Sequence, residues 1–360
     1  MSVYRKFKVV RKIRESDLVV SLYLEADDKL PLPPYRPGQH LQFRLNIPGQ
    51  EIPLYRNYSF SDVYDPFCYR ISVKKELAPR NRPGLPAGAG SSYLFDTVQA
   101  GDRLEAKGPQ GDFYLDPAGS DPVVFFAGGI GITPLLSMVK SIALVNPRRR
   151  IYFIYGINER KDHSFRGELE QLRKRHPGFR FMIFYTLVGS GDAVGVDFDY
   201  EGFIDMEVVL KAAGDLDMEH YICGPGVMMD AIKAALLRLG VPERKMHIEA
   251  FSMSTIEQPG SRDDADVNNT VEKSGGLLQV SFLRSGKRIE WDPRYPSLLA
   301  FAEAHDIEIP SGCLFGDCGT CLTTLREGQI KYMHPTMVKP AAGYCLPCSC
   351  IPISDLILEA

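Results

Sequence analysis

The chain has 360 residues, more than one ordinary domain holds, which predicts two or three domains. Hydrophobic residues make up 44% and charged residues 24%, as in soluble globular proteins, and a net charge of -3 supplies no basic face for nucleic acid. The opening "MSVYRKFKVV" has no apolar stretch of the kind a secretion signal needs, so cytoplasmic localisation and cysteines used as metal ligands or thiols rather than disulfides are expected.

Residues 1–117 contain short β-rich runs separated by turn residues: "KFKVVRKI", "VVSLYLEA", "HLQFRLNI", "RISVKK" and "DRLEAKG". This spacing predicts an antiparallel β-barrel. Within it, "LYRNYSFSD" places Arg56 and Tyr58 on one strand face, with Ser59 next. Arginine offers a forked donor to a phosphate, tyrosine a flat ring and serine a small hydroxyl. "PAGAGSSYLFD" then sets Gly88, Ser91 and Ser92 ahead of an apolar segment, where amides and hydroxyls can meet a phosphate.

From residue 118 to 251 strands alternate with helices, which predicts an α/β domain with a parallel sheet. Pro122 to Val139 runs without a charge and is long enough to mimic a membrane span. Its glycines and Pro134 break a single helix, so a buried strand, a glycine turn and a helix start are expected, with Thr133 as N-cap and Pro134 at the first helical position. Gly129 and Gly131 would let a pyrophosphate approach the backbone. "YICGPG" ends a later strand at Cys223, Gly224 and Pro225, a position that lines the ligand crevice of an open α/β sheet. Taken alone, Cys223 reads as a buried small hydrophobe.

Residues 252–275 are polar and aperiodic and predict a linker, leaving 276–360 as a small module. It opens with a hairpin pattern, "LLQVSFLRSGKRIEW", and holds six of the eight cysteines. Cys313, Cys318 and Cys321 have the C-x4-C-x2-C spacing of plant-type 2Fe–2S ferredoxins. Spacing alone leaves the fourth thiolate open among Cys345, Cys348 and Cys350. A zinc ribbon built from Cys318, Cys321, Cys345 and Cys348 is the rival, but it exceeds the usual span between pairs and leaves Cys313 unused. A Rieske centre lacks its two histidines.

R-x-Y-S, G-x-x-S, G-G-x-G-x-T-P and C-G-P, in that order, resemble the ferredoxin–NADP reductase superfamily over residues 1–251. Residues 276–360 resemble plant-type ferredoxins, and the domain order is that of the phthalate dioxygenase reductase type. The resemblance implies a multidomain protein: an antiparallel β-barrel flavin domain, an α/β dinucleotide domain and an α+β, β-grasp-like 2Fe–2S domain. It implies that Arg56, Tyr58, Ser59 and Val73 bind the flavin, FAD rather than FMN, with Gly88, Ser91 and Ser92 on its phosphates. Gly129, Gly131 and Thr133 would bind NADH. Cys223, Gly224 and Pro225 would lie beside the nicotinamide, with Ser59 and Cys223 at the reacting centre and Phe251 closing the flavin face. Aligning Pro352 with the family's register makes Cys348 the fourth ligand, after Cys313, Cys318 and Cys321, and leaves Cys345 and Cys350 extra.

These features imply a reductase that passes electrons from NADH through flavin and cluster to a terminal oxygenase, which would dock at Leu314, Phe315 and Asp317. Reduction of small acceptors such as quinones or free flavin, or service as an electron-transfer subunit of a larger dehydrogenase, are the other readings. The acidic stretch "VGSGDAVGVDFDYEG" (188–202) predicts preference for NADH, because its carboxylates would repel a 2′-phosphate.

Overall fold

The structure, a computed structural model, describes residues 4–78, 87–214, 216–251, 278–311, 314, 316, 319–333, 336 and 338–360. The linker at 252–275, Cys313, Cys318, Phe315 and Asp317 lie outside the described residues. The chain divides into two compact units, Met1–Phe251 and Ser252–Ala360.

The first unit begins with β1 (Arg5–Arg14), β2 (Val19–Ala26), β3 (His40–Leu45), β4 (Leu54–Ser59), β5 (Tyr69–Lys74), a short helix α1 (Ala89–Ser92) and β6 (Arg103–Gln110). The strands pair antiparallel in the order β4-β3-β6-β1-β2-β5. A bridge between Phe60 and Ile71 joins the two ends of that row, making the expected barrel. Its interior holds Val9, Leu22, Leu24, Phe43, Phe60 and Ile71, all fully buried.

The same unit continues with β7 (Val123–Gly128), α2 (Ile132–Val145), β8 (Ile151–Ile157), α3 (Arg166–Arg175), β9 (Phe179–Tyr185), β10 (Tyr200–Glu201), α4 (Met206–Ala213), β11 (Glu219–Cys223), α5 (Gly226–Arg238) and β12 (Met246–Glu249). The sheet is parallel throughout, in the order β10-β9-β8-β7-β11-β12. Strand β7 explains the membrane-like hydropathy. Val123, Phe125 and Ala127 pack with α2 and α3 on one face, while Val124 and Phe126 pack with α4 and α5 on the other. A strand covered on both faces has no polar side to show. Among the described residues no helix is long and apolar enough to cross a membrane.

One boundary differs from expectation. Gly131, not Thr133, is the N-cap of α2, and Pro134 is the third helical residue. A 3-10 turn at Gly129–Gly131 runs directly into the helix, so the helix begins before the threonine. The Thr133 hydroxyl instead donates to the Ile130 carbonyl at 3.1 Å.

The second unit contains β13 (Gln279–Phe282), β14 (Lys287–Glu290), α6 (Leu298–Ala304), β15 (Thr323–Glu327), β16 (Ile330–Tyr332), β17 (Tyr344–Cys345), β18 (Cys350–Pro352) and β19 (Leu356–Leu358). The main sheet runs β14-β13-β19-β15-β17, with β13 antiparallel to β14 and parallel to β19. Helix α6 covers this sheet through Leu298, Leu299 and Phe301, and the same core takes in Cys321, Cys345, Cys348 and Cys350.

Candidate functional site

Arg56 lies on β4 and donates to the Tyr55 carbonyl at 2.7 Å. Burial lowers its pKa, and among the described residues no carboxylate forms an ion pair with it. A desolvated guanidinium without a carboxylate is matched to an anionic ligand. The turn that opens α1 sits directly on it, since a Cβ at Gly90 would lie 3.3 Å from Arg56 Cγ. The two serines of that turn differ in use. Ser91 Oγ donates to the Gly88 carbonyl and accepts from the Glu76 amide, both at 3.1 Å. Ser92 Oγ is buried and finds no hydrogen-bond partner. An orphaned hydroxyl close in sequence to a turn packed on a carboxylate-free arginine fits the phosphate end of a flavin nucleotide.

Tyr58 is half-buried and meets Phe43 edge-on at 5.6 Å; burial raises its pKa, so the phenol stays neutral. Ser59 is buried at the end of β4. The Val73 side chain belongs to the barrel core, so any contact with a ligand falls to its main chain.

At the nucleotide sheet, the β7–α2 and β11–α5 turns press together. A Cβ on Gly131 would lie 2.2 Å from the Cys223 carbonyl oxygen, and one on Gly128 2.6 Å from both Met228 Sδ and Pro225 Cδ. Gly129 differs: its φ is +49° and nothing lies within 4 Å of where a Cβ would be, which leaves its backbone open to a ligand. Gly129 and Pro225 line a crevice of about 510 Å³ at the ends of β7, β8, β9 and β11, together with Asn158, Thr186, Phe203 and Met228. Sequence reasoning passed over those four. Asn158 and Thr186 directly follow apolar strands, which is the signal that could have found them.

Cys223 is fully buried, and burial together with Glu249 raises its thiol pKa well above the usual value. Burial therefore favours the neutral thiol over the thiolate. Phe251, just past β12, packs against the core on the α2 and α3 face.

Two further residues join these turns and escaped sequence reasoning. His40 pairs with Ser59 across β3 and β4, and Glu249 pairs with Cys223 across β12 and β11. His40 Nδ1 lies 4.0 Å from Glu249 Oε1, and burial lowers the His40 pKa to about 4. The barrel strand that carries Ser59 and the sheet strand beside Cys223 thus approach each other at His40 and Glu249. His40 and Glu249 lie 209 positions apart in the chain, so no local pattern marks them.

The acidic stretch is less repulsive than its composition implies. Asp197 pairs with Arg166 at 2.7 Å and lies 3.5 Å from Arg160, and Asp192 lies 3.9 Å from Arg160. Asp199 accepts from the Ile183 amide. Arg160, from the loop after β8, lies beside these carboxylates.

In the second unit, Cys321 Sγ and Cys348 Sγ are 3.1 Å apart, both buried and both free of a disulfide. Cys348 is carried on a 3-10 turn, Pro347–Ser349. Cys345 and Cys350 are fully buried on β17 and β18, and the neighbouring Cys345 thiol, burial and the nearby Cys321 and Cys348 push the Cys350 pKa up. Among the described residues no group of three or more Cys, His, Asp or Glu side chains forms a metal site; Cys313 and Cys318 lie outside those residues. Two facing soft thiols suit an iron–sulfur centre.

Family models match in the same order along the chain: an oxidoreductase FAD-binding domain at residues 6–114, an oxidoreductase NAD-binding domain at 125–234 and a 2Fe-2S iron-sulfur cluster binding domain at 281–352. The flavohemoprotein of Bordetella pertussis is 38% identical over 254 residues, 70% of this chain but only 62% of that protein's length. The flavohem-like FAD/NAD binding domain of nitric oxide dioxygenase from Vibrio cholerae is 30% identical, with a TM-score of 0.61 over 69% of this chain and 98% of that one. Phthalate dioxygenase reductase, at 23% identity, has the same fold over 99% of this chain and 98% of its own, with a TM-score of 0.67.

Proposed function

Because the chain belongs to the ferredoxin–NADP reductase superfamily and carries a plant-type 2Fe–2S domain at its C-terminal end, we propose that it takes electrons from NADH and delivers them singly to a separate oxygenase protein. When bound, FAD supplies the change from two-electron to one-electron transfer, and the 2Fe–2S cluster supplies a one-electron carrier. Arg56 and Ser92 hold the flavin phosphates, and Tyr58 packs against its ring system. Gly129 admits the dinucleotide pyrophosphate. Ser59, His40 and Glu249 orient the reacting edges, while Cys223 fills the nicotinamide side as a neutral group. Cys313, Cys318, Cys321 and Cys348 hold the cluster.

The observation that supports this most is a dinucleotide crevice and a facing Cys321–Cys348 pair in one chain. Anaerobic titration tests it: two electrons for flavin and one for the cluster require about 1.5 equivalents of NADH per chain. Saturation at one equivalent, with no EPR signal from a reduced cluster, would rule the reading out. A second reading is favoured by the flavohemoprotein match, which falls on the first unit: direct transfer from flavin to the acceptor. A chain ending at Phe251 that sustains full turnover with the native acceptor would establish it.

Arg56→Ala should weaken FAD binding about 10- to 100-fold, since a hydrogen bond to a charged group contributes roughly 1.5–3 kcal/mol. Fluorescence titration of flavin-free protein measures this, and unchanged affinity would remove Arg56 from the site. NADH should be preferred over NADPH. Arg160 lies 3.9 Å from Asp192 and 3.5 Å from Asp197, so its charge toward a 2′-phosphate is partly offset by theirs. Asp192→Asn should narrow the kcat/KM ratio at least about fivefold, since one charge at close range contributes about 1 kcal/mol in water and more where, as here, the side chain is largely buried. An unchanged ratio would show that this loop does not read the ribose.

A further inference from the structure

Ser349 follows Cys348 directly and is fully buried. Its Oγ is 3.2 Å from Cys348 Sγ, a contact in which either atom could donate. The main chain on both sides is pinned: the Ser349 amide donates to the Leu346 carbonyl at 2.9 Å, and the Met333 amide donates to the Ser349 carbonyl at 3.0 Å. The hydroxyl is hemmed in as well, because a Cβ on Gly316 would come within 2.6 Å of it. Among the described residues, Ser349 Oγ makes no other hydrogen bond.

The direction of this bond depends on the state of the thiol. A neutral Cys348 could donate to the hydroxyl. A thiolate ligating iron has no proton, so the hydroxyl must then be the donor. We propose that Ser349 sets the reduction potential of the cluster by donating its hydroxyl proton to Cys348 Sγ. This rests on the reading of Cys348 as a ligand. On reduction one electron enters the cluster, no bond breaks and no proton leaves Ser349. The added negative charge is shared by the ligating sulfurs, so the bond strengthens in the reduced state. Hydrogen bonds to the sulfurs are a recognised lever on these potentials. Ser349 thus raises the potential and favours cluster reduction.

The test uses the full chain with its flavin and cluster. Iron and sulfide analysis establishes loading, and a dye-mediated titration followed by EPR gives the midpoint potential. Ser349→Ala should lower the equilibrium constant for cluster reduction about tenfold, about 59 mV for a one-electron couple. Ser349→Thr and Ser349→Val have the same shape and differ in the hydroxyl, so Thr should titrate above Val. That difference decides the matter even where the alanine variant loads poorly. A fully loaded Ser349→Ala at the wild-type potential, or equal potentials for Thr and Val, would overturn the proposal. Cys348→Ser separates the two layers. If that variant keeps its cluster, the ligand reading falls and this inference with it. If it loses the cluster while Ser349→Ala keeps the wild-type potential, only the inference falls.

Discussion

Cys348→Ser should lose the visible absorption and the reduced-state EPR signal of the cluster while FAD remains bound. Cys348 is the described thiol that meets Cys321, at 3.1 Å, and iron–sulfur clusters are held by cysteine thiolates. Reduction of one-electron acceptors that depend on the cluster should fall to background. NADH oxidation by a dye that accepts from flavin should be unchanged, since Arg56, Ser92 and Gly129 belong to the other unit. Cys345→Ser and Cys350→Ser are the controls. On the reading of Cys348 as the fourth ligand, both variants should retain iron and sulfide. Retention of the cluster in Cys348→Ser with loss in either control would move the fourth ligand and reinstate a choice that spacing alone leaves open.

That choice illustrates where sequence is readable and where it is not. Local periodicity is visible in one dimension. The alternating runs of the barrel, the uniformly apolar β7 and the glycine turn after it are all legible because each depends on neighbours in the chain. The start of α2 is misread by two residues because Thr133 satisfies a local preference that the preceding 3-10 turn overrides. The His40–Glu249 contact needs β3 and β12 to be placed first. The acidic loop is the most instructive case. Its composition is plain, but its charge is set by Arg160 and Arg166, which arrive from other elements. Arg70 is another residue of this kind, sitting in "YRISVK" where a strand's polar alternate looks like a surface position.

Arg70→Met should lower the stability of the first unit by about 3 kcal/mol, the lower end for breaking a buried ion pair. For a domain of this size that is roughly a 6–12 °C fall in Tm. Arg70 is 3% exposed on β5 of the barrel. Its guanidinium lies 2.6 Å from Glu168 on α3 and 3.4 Å from Asp62, and Lys140 on α2 joins both carboxylates. Arg70 also donates to the Ser61 carbonyl and hydroxyl, two residues from Ser59. The network therefore fastens the barrel to the nucleotide sheet within one unit, and its loss strands two carboxylates on a single lysine. The lower figure is chosen because Asp62 and Glu168 keep about a quarter of their side-chain exposure and can draw on water. Since Arg70 also holds Ser61, two residues from Ser59, NADH-to-flavin transfer should slow in Arg70→Met at a temperature where the variant is still folded and flavin-loaded. A double-mutant cycle with Glu168→Gln separates the ion pair from packing, because residues in one network should be non-additive. Additive losses, or an unchanged Tm in Arg70→Met, would show that the charges merely coexist and that apolar contacts hold the two sheets together.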